Sequence, residues 1–387
     1  MKNVSQFDNI CTGCGLCSVI CPSKHITMKQ DEYGFYKPLI DNDCNGCGYC
    51  IKKCPLNNQN SSKNIQAYCG ANINEKERLA SSSGGIFSII CRYIIKQGGV
   101  VYGVSFDENL TAKTIRVDDV SNLDGLRKAK YVQAVSWQQY ENVKRDLENG
   151  LAVVYSGTPC QIAGLQNFLG TDYEQLFLVE VACHGVPSIG LFQSYIEESE
   201  KKLHKKITNV SFRDKSTSDG AYSWENYFVT FYSDNKVIKT EYFRKNDYMK
   251  AFFNDLSINN ACFHCHYKVG QSLADLTIGD FWGADDIAPA LNDDKGLSII
   301  ICHSKKGKCL IDMIKTHSFN FKQINNADAF KHNKYLITQP KPNLKYYDFM
   351  KNYKNNMPLA ENLNKCLYPT IVKKIKKIIN ESIRGKY

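Results

Sequence analysis

CTGCGLCSVICP (11–22) and CNGCGYCIKKCP (44–55) each carry four cysteines at the spacing C-x2-C-x2-C-x3-C-P, the second copy starting 33 residues after the first. Three thiolates on one tight loop can hold three corners of a cubane iron–sulfur cluster, while the fourth, followed by proline, turns away to the other cluster. Crossed ligation follows: Cys11, Cys14, Cys17 and Cys54 for one cluster, and Cys44, Cys47, Cys50 and Cys21 for the other. Gly13, Gly15, Gly46 and Gly48 let the backbone approach and donate N–H groups to the sulfides. Zinc also takes C-x2-C pairs. Four cysteines at 2-2-3 spacing, twice and with both prolines, instead read as two 4Fe-4S clusters.

This is the run of a bacterial two-cluster ferredoxin, so residues 1–60 are expected to form a ferredoxin domain ending in the polar stretch NNQNSSKN (57–64). Two adjacent clusters make a one-electron wire, which needs a redox partner at each end, a ferredoxin or another redox protein among them. The chain has 387 residues, enough for two or three domains, and 17 cysteines. Cysteine at this density without a secretory signal points to metal ligands and catalytic thiols in a reducing cytoplasm rather than to disulfides. No apolar run approaches the ~20 residues of a membrane span. The formal charge of +10 would suggest nucleic acid, but Lys373, Lys374, Lys376, Lys377, Arg384 and Lys386 hold much of it, against Glu381 alone. Each bound cubane also adds about −2. Nucleic acid is therefore not expected as a partner.

From residue 61 to about 340 short β-rich runs alternate with amphipathic stretches, the pattern of an α/β domain. Strands are expected at Val100–Phe106, Ala152–Ser156, Phe177–Ala182, Val210–Arg213, Tyr227–Tyr232, Val237–Phe243, Thr277–Gly279 and Leu297–Cys302. Helices are expected at Gly85–Lys96, Gln138–Glu148, Gln161–Phe168 and Ile189–Lys202. The runs 227–232 and 237–243, joined through Ser-Asp-Asn, read as an antiparallel hairpin that makes the sheet mixed. Residues 341–387 are a basic tail. Its end, TIVKKIKKIINESI, has the spacing of a terminal helix that packs Ile371, Ile375, Ile378 and Ile379 on the domain.

Cys160 and Cys183 each follow a predicted strand, and in open α/β sheets such ends converge on the ligand crevice. Together with the pair Cys262 and Cys265 they are candidates for a third cluster. On spacing alone, buried structural thiols beside a zinc-binding or empty pair account for them equally well.

The order SSSGGIF (81–87), KYVQA (130–134), SGTPCQIAGL (156–165), VACHGVPS (181–188), SFRDK (211–215), CFHCHY (262–267) and ADLTIGDFWG (274–283) behind the two-cluster module resembles the coenzyme F420 hydrogenase/dehydrogenase beta-subunit family over roughly residues 1–300. The resemblance implies a mixed-sheet α/β flavin-binding domain, with FAD and a 4Fe-4S cluster held by Cys160, Cys183, Cys262 and Cys265. It lays the flavin along Ser82, Ser83, Gly84 and Gly85, along Lys130, Tyr131 and Gln133, and along Ser156, Gly157, Thr158 and Pro159. Small residues opening a helix at Gly85 would offer backbone N–H groups to a pyrophosphate. No G-x-G-x-x-G follows a predicted strand, so a Rossmann site is not the basis for this expectation.

Candidates for substrate chemistry are His184 as proton donor, Arg213 and Lys215 for an anionic group unless they are solvated beside Asp214, and Asp280 as an acceptor. His264 and His266 read as residues that tune or shield a cluster. Cys69, Cys91, Cys302, Cys309 and Cys366 read as buried thiols. The whole implies a cytoplasmic, oxygen-sensitive iron–sulfur flavoprotein that passes electrons between a ferredoxin-like partner and a small organic substrate through three clusters and FAD. One alternative keeps the same machinery, as a subunit of a hydrogenase or dehydrogenase complex that oxidises the deazaflavin coenzyme F420; another is a non-catalytic electron carrier whose second domain has lost flavin and only docks a partner. A homo-oligomer or a larger redox complex fits either enzyme reading.

Overall fold

A computed structural model describes residues 2–57, 65–215, 224–268 and 270–368. The boundary stretch 58–64 and the expected terminal helix from residue 370 lie outside the described residues.

The two cysteine loops flank a hairpin, β1 (Ile26–Gln30) and β2 (Tyr36–Ile40), paired antiparallel. Each loop runs into one helical turn, Leu16–Ile20 and Tyr49–Lys53. The turns start from Gly15 and Gly48 at φ 74° and 73°, left-handed values that side chains rarely adopt. A Cβ on Gly15 would also lie 2.3 Å from the Trp137 ring.

The remaining strands are β3 (Gln66–Asn72), β4 (Val100–Phe106), β5 (Ala112–Val117), β6 (Val153–Gly157), β7 (Leu176–Val181), β8 (Asn209–Asp214), β9 (Phe228–Ser233), β10 (Lys236–Tyr242), β11 (Leu276–Asp280), β12 (Ser298–Cys302) and β13 (Phe319–Ile324). Among the described residues, eight of them form one sheet in the order β13-β3-β12-β11-β7-β6-β4-β5. The pairs β4·β6, β6·β7 and β7·β11 are parallel, and antiparallel strands flank this centre on both sides. The sheet is mixed, as expected, but not for the expected reason. The hairpin β9–β10, turned at Asp234 and Asn235 with φ 48° and 64°, belongs to a separate sheet in the order β10-β9-β8. Two positive φ values in succession make a turn whose twist matches the strands.

One face of the main sheet packs Ile86–Lys96 and Lys305–Ser318 through Ile90, Ile94, Leu310 and Ile314. The other packs Tyr140–Glu148 and Pro159–Leu169, and Leu16 of the first cysteine loop enters that core. The small sheet shares a third core with Ile189–Leu203, Asp247–Phe253 and two helices of the tail, Tyr346–Lys354 and Leu359–Leu367. No helix among the described residues is long and apolar enough to cross a membrane.

Candidate redox site

The cysteine module is tied to the sheet by hydrogen bonds at both loops. Tyr140 Oη donates to the Cys14 carbonyl at 3.0 Å, and the Asn167 amide donates to the Lys53 carbonyl at 2.9 Å. The Tyr36 N–H donates to Gln133 Oε1 at 2.7 Å, and Gly190 N–H donates to the Gly34 carbonyl at 3.0 Å. Gly164, on the helix that follows β6, admits Cys14 because it has no side chain: a Cβ there would sit 3.1 Å from Cys14 Cβ and 2.5 Å from Tyr140 Oη.

Cys11, Cys14, Cys17 and Cys54 line one small cavity together with Val4, Phe7, Leu16, Met28 and Tyr267. These four come from both sequence repeats, in the crossed combination. Burial and then neighbouring thiols raise the pKa of Cys14 and Cys17 well above the usual value, and burial raises Cys54 to about 11. Cys21 and Cys50 share a second apolar nest with Val4 and Ile26, while Cys47 is exposed. Cys44 is half-buried, so of the second group only Cys47 reaches the surface, while Cys14 of the first group lies against the helix that follows β6.

Cys160, Cys183, Cys262 and Cys265 lie within electrostatic range of one another, and Cys160 and Cys183 share a cavity wall. Cys160 opens the helix after β6, Cys183 follows β7, and the pair lies in and just after the short turn Asn260–His264. Burial pushes Cys160 to about 11 and Cys262 to about 12, with the other thiols adding to both, and it raises Cys183 further, again with Cys262, Cys160 and Cys265 contributing. The Thr12 hydroxyl, next to Cys11, hydrogen-bonds Cys160. Buried Tyr267 lies within electrostatic range of Cys14 and Cys54 on one side and of Cys160 and Cys265 on the other. Tyr267 thus faces thiols of both groups.

Beyond Cys160 and Cys183 opens a cavity of about 1040 Å³ at the carboxyl ends of β6, β7 and β11. This volume lies at the upper end of what ligand sites enclose. Ser82, Ser83, Gly85, Lys130, Tyr131, Gln133, Ser156, Gly157 and Thr158 line it; Gly84 and Pro159 do not. Gly84 is turned into the sheet, where its N–H bonds Ser298 Oγ. Pro159 is the first residue of its helix, held by the Thr158 and Gln161 capping box. The Lys130 ammonium is tied to the carbonyls of Gly125, Arg127 and Lys128, and burial lowers its pKa to about 7. The Gln133 amide is spent on Tyr36 of the hairpin, so what it offers the cavity is backbone.

The polar candidates separate. His184, Arg213 and Asp280 line the cavity and Lys215 does not. His184 Nε2 lies 2.6 Å from Asp255 Oδ1. Arg213 is neither solvated nor paired with Asp214: it is 2% exposed, and its guanidinium bonds Asp280 Oδ2 at 2.6 Å and the Ser82 carbonyl at 3.2 Å. The Tyr227 ring lies 4.1 Å from it. Lys215 is also buried, its three ammonium hydrogens taken by the carbonyls of Arg78, Ser83 and Lys295. It buttresses the Ser83 loop from behind. His264 and His266 are exposed beside Cys265. Cys69, Cys91, Cys302 and Cys366 are buried, whereas Cys309 is exposed.

Residues 10–58 match the family model of the 4Fe-4S dicluster domain. Residues 151–327 match the model for the C terminus of the beta subunit of coenzyme F420 hydrogenase/dehydrogenase. The chain joins these two domains. No curated protein matches it. Among 13 matching chains of solved structures is one from the F420-reducing NiFe hydrogenase complex of Methanosarcina barkeri, 16% identical, covering 79% of this chain and 92% of that one with a TM-score of 0.45. The dicluster match makes this an iron–sulfur chain, and the second match relates residues 151–327 to the hydrogenase and dehydrogenase beta subunits.

Several lining residues of the cavity escaped the sequence. Arg127 and Lys128 bring positive charge, and Tyr227, Phe243, Phe252 and Phe253 form an aromatic wall. None sits in a motif. Thr12 and Gly13 bring the dicluster domain itself to the cavity, a contact that no local spacing announces.

Proposed function

We propose that the chain is an iron–sulfur flavoprotein oxidoreductase that moves electrons between a ferredoxin-like partner and a small organic substrate. The observation that carries this reading is the cavity wall: Cys160 and Cys183 lie on it beside Thr12 and Gly13, so space for a dinucleotide-sized cofactor adjoins both groups of four thiols. In this reading Cys11, Cys14, Cys17 and Cys54 hold one 4Fe-4S cluster. Cys44, Cys47, Cys50 and Cys21 hold the outward one, and Cys160, Cys183, Cys262 and Cys265 hold the third. The Ser82–Gly85 loop before the helix Ile86–Lys96 and the Ser156–Thr158 turn cradle FAD, with Lys128 and Arg127 supplying positive charge near its phosphates. FAD bound there would supply the exchange between paired electrons on the substrate side and single electrons on the cluster side. His184, oriented by Asp255, handles a proton at the cavity wall. The Arg213–Asp280 pair holds the Ser82 loop and the Tyr227 ring in place. The outward cluster, with exposed Cys47, is where a redox partner docks, in the cytoplasm and either transiently or within a larger complex.

The family description names coenzyme F420, so this deazaflavin is the first substrate to offer. The volume of the cavity, and the His184 and Arg213 side chains on its largely apolar wall, speak against a carrier without a substrate. The deciding experiment is iron, sulfide and flavin stoichiometry on protein reconstituted without oxygen. About twelve iron and one FAD per chain support the reading. About eight iron with no flavin that can be loaded would leave an electron carrier.

A further inference from the structure

Behind the cavity the sheet carries a buried polar row that the reading above does not use. Glu180 and Thr277 are register partners on the parallel strands β7 and β11. His303 follows the last residue of β12, the antiparallel neighbour of β11. Thr277 Oγ1 donates to Glu180 Oε1 at 2.5 Å and lies 2.6 Å from His303 Nε2. Among the described residues, His303 Nδ1 is buried without a hydrogen-bond partner, and besides Thr277 the buried Glu180 carboxylate has only the Ser272 hydroxyl and the more distant Lys268 to face. A sheet selected for stability alone would fill these positions as it fills Val179, Ile278 and Ile300 beside them, because unpaired buried polar atoms are costly.

The two ends of the row open in different directions. His303 lines a polar groove of about 730 Å³ between Lys52 and Lys53 of the dicluster domain and Ser272, Asp172 and Lys306 of the other. Glu180 is in register with Gly157 on the cavity wall, and the next residues, Val181 and Ala182, line the cavity. Lys268 lies within electrostatic range of the Glu180 carboxylate and donates to the Cys183 carbonyl at 2.8 Å.

We propose that His303, Thr277 and Glu180 form a proton relay from the groove to a carboxyl group behind the Cys183 site, so that reduction there is matched by a proton taken up at Glu180. The inference rests on the proton-coupled redox role proposed above. His303 Nδ1 is sealed from the groove in the structure, so the first step is a local opening that lets a groove water reach the ring and give Nδ1 a proton. The Nε2 hydrogen passes to Thr277 Oγ1, and the Thr277 hydrogen passes to Glu180 Oε1. One proton enters, no electron moves, and only N–H and O–H bonds change. The row resets when Glu180 gives up its proton and the imidazole returns to its first tautomer. The other groups facing the row fit this role. Lys268 and the Ser272 hydroxyl face Glu180. The Asp275 carboxylate is occupied by the Leu178 N–H and Ser304 Oγ, and Lys306 is held by Asp172. Burial raises Glu180 to about 7 and lowers His303 to about 4, so near neutral pH the carboxyl visits both forms and the imidazole rests neutral.

The test uses reconstituted holoprotein of the wild type, Glu180→Gln, Thr277→Val and Thr277→Ser, with iron content as the check on assembly. Midpoint potentials of the clusters are measured between about pH 5 and 9, and proton uptake after rapid reduction is followed with an indicator dye. A potential that falls with rising pH is expected in the wild type and not in Glu180→Gln. Thr277→Val is expected to keep that equilibrium dependence but to take up protons more slowly, on the order of a hundredfold, and Thr277→Ser to restore the rate. Potentials independent of pH in the wild type, the same slope in Glu180→Gln, or undiminished uptake in Thr277→Val would each overturn the relay. Flavin content is measured on the same samples. Its absence removes the flavoprotein reading and leaves the cluster potentials to decide the relay.

Discussion

Replacing Arg213 by methionine keeps roughly the side-chain volume and removes the guanidinium that Asp280, the Ser82 carbonyl, the Trp224 carbonyl and Tyr131 Oη share. With Arg213 2% exposed and the Asp280 side chain 14% exposed, the carboxylate is left without its counter-charge in a dry setting. Breaking a buried pair from one side costs about 3–5 kcal/mol. Arg213→Met and Asp280→Leu are each expected to lose that much. The double variant, which leaves no orphan charge, is expected to lose less than the sum, with a coupling of about 2–3 kcal/mol. Circular dichroism of reconstituted protein would show each single variant unfolding earlier by on the order of 10 °C. Flavin loading is expected to weaken in both single variants alike, because the pair acts through the Ser82 loop. The reasoning fails if the effects of the two substitutions simply add. It also fails if Arg213→Met keeps wild-type stability and weakens only the binding of an anionic substrate, the signature of an arginine that meets ligand.

Gly164→Ala puts a methyl group 3.1 Å from Cys14 Cβ. The overpacking of about 1–3 kcal/mol outweighs the helix-propensity gain of about 1 kcal/mol, and iron is expected to be lost from the inner dicluster site first; unchanged stability and iron content would show that this helix does not hold the loop. Cys54→Ser and Cys21→Ser are expected to abolish different clusters, Cys54→Ser the one within range of Tyr267. Loss of the same paramagnetic signal in both would contradict crossed ligation. The third expectation concerns acid stability. The raised folded pKa of Glu180, about 7, stabilises the fold as pH falls from about 7 toward 4.5. The lowered value of His303, about 4, removes stability as pH falls from about 6.5 toward 4, and each slope reaches at most about 1.4 kcal/mol per pH unit. The two nearly cancel in the wild type, so Glu180→Gln should become acid-sensitive and His303→Gln acid-stabilised over that range. Parallel pH profiles in urea unfolding of the two variants would refute the assignment.

Features set by short-range geometry were legible in the residues alone. The 2-2-3 cysteine runs, their glycines at positive φ, the Asp234–Asn235 turn and the strands β4, β6 and β7 each depend on residues within one loop or one pleat, and the backbone has few ways to satisfy them. β3, β5 and β13 were not legible. β3 carries Gly70 at its centre and owes its strand to pairing on both sides, with β12 and β13. Burial was not legible either. Arg213 and Lys215 in Ser-Phe-Arg-Asp-Lys read as anion-binding or solvated charges, and only tertiary packing supplies the carbonyls of the Ser83 loop and the 293–296 turn and the Asp280 carboxylate of β11 that let them leave water. Gln133 reads as a cavity residue until the hairpin arrives to take its amide. The approach of Cys160 and Cys183 to Cys262 and Cys265, the position of Tyr267 facing thiols of both groups, and the row from His303 to Glu180 came from tertiary packing. Each joins residues many tens of positions apart, and such contacts form only once sheet order and docking have brought their strands side by side.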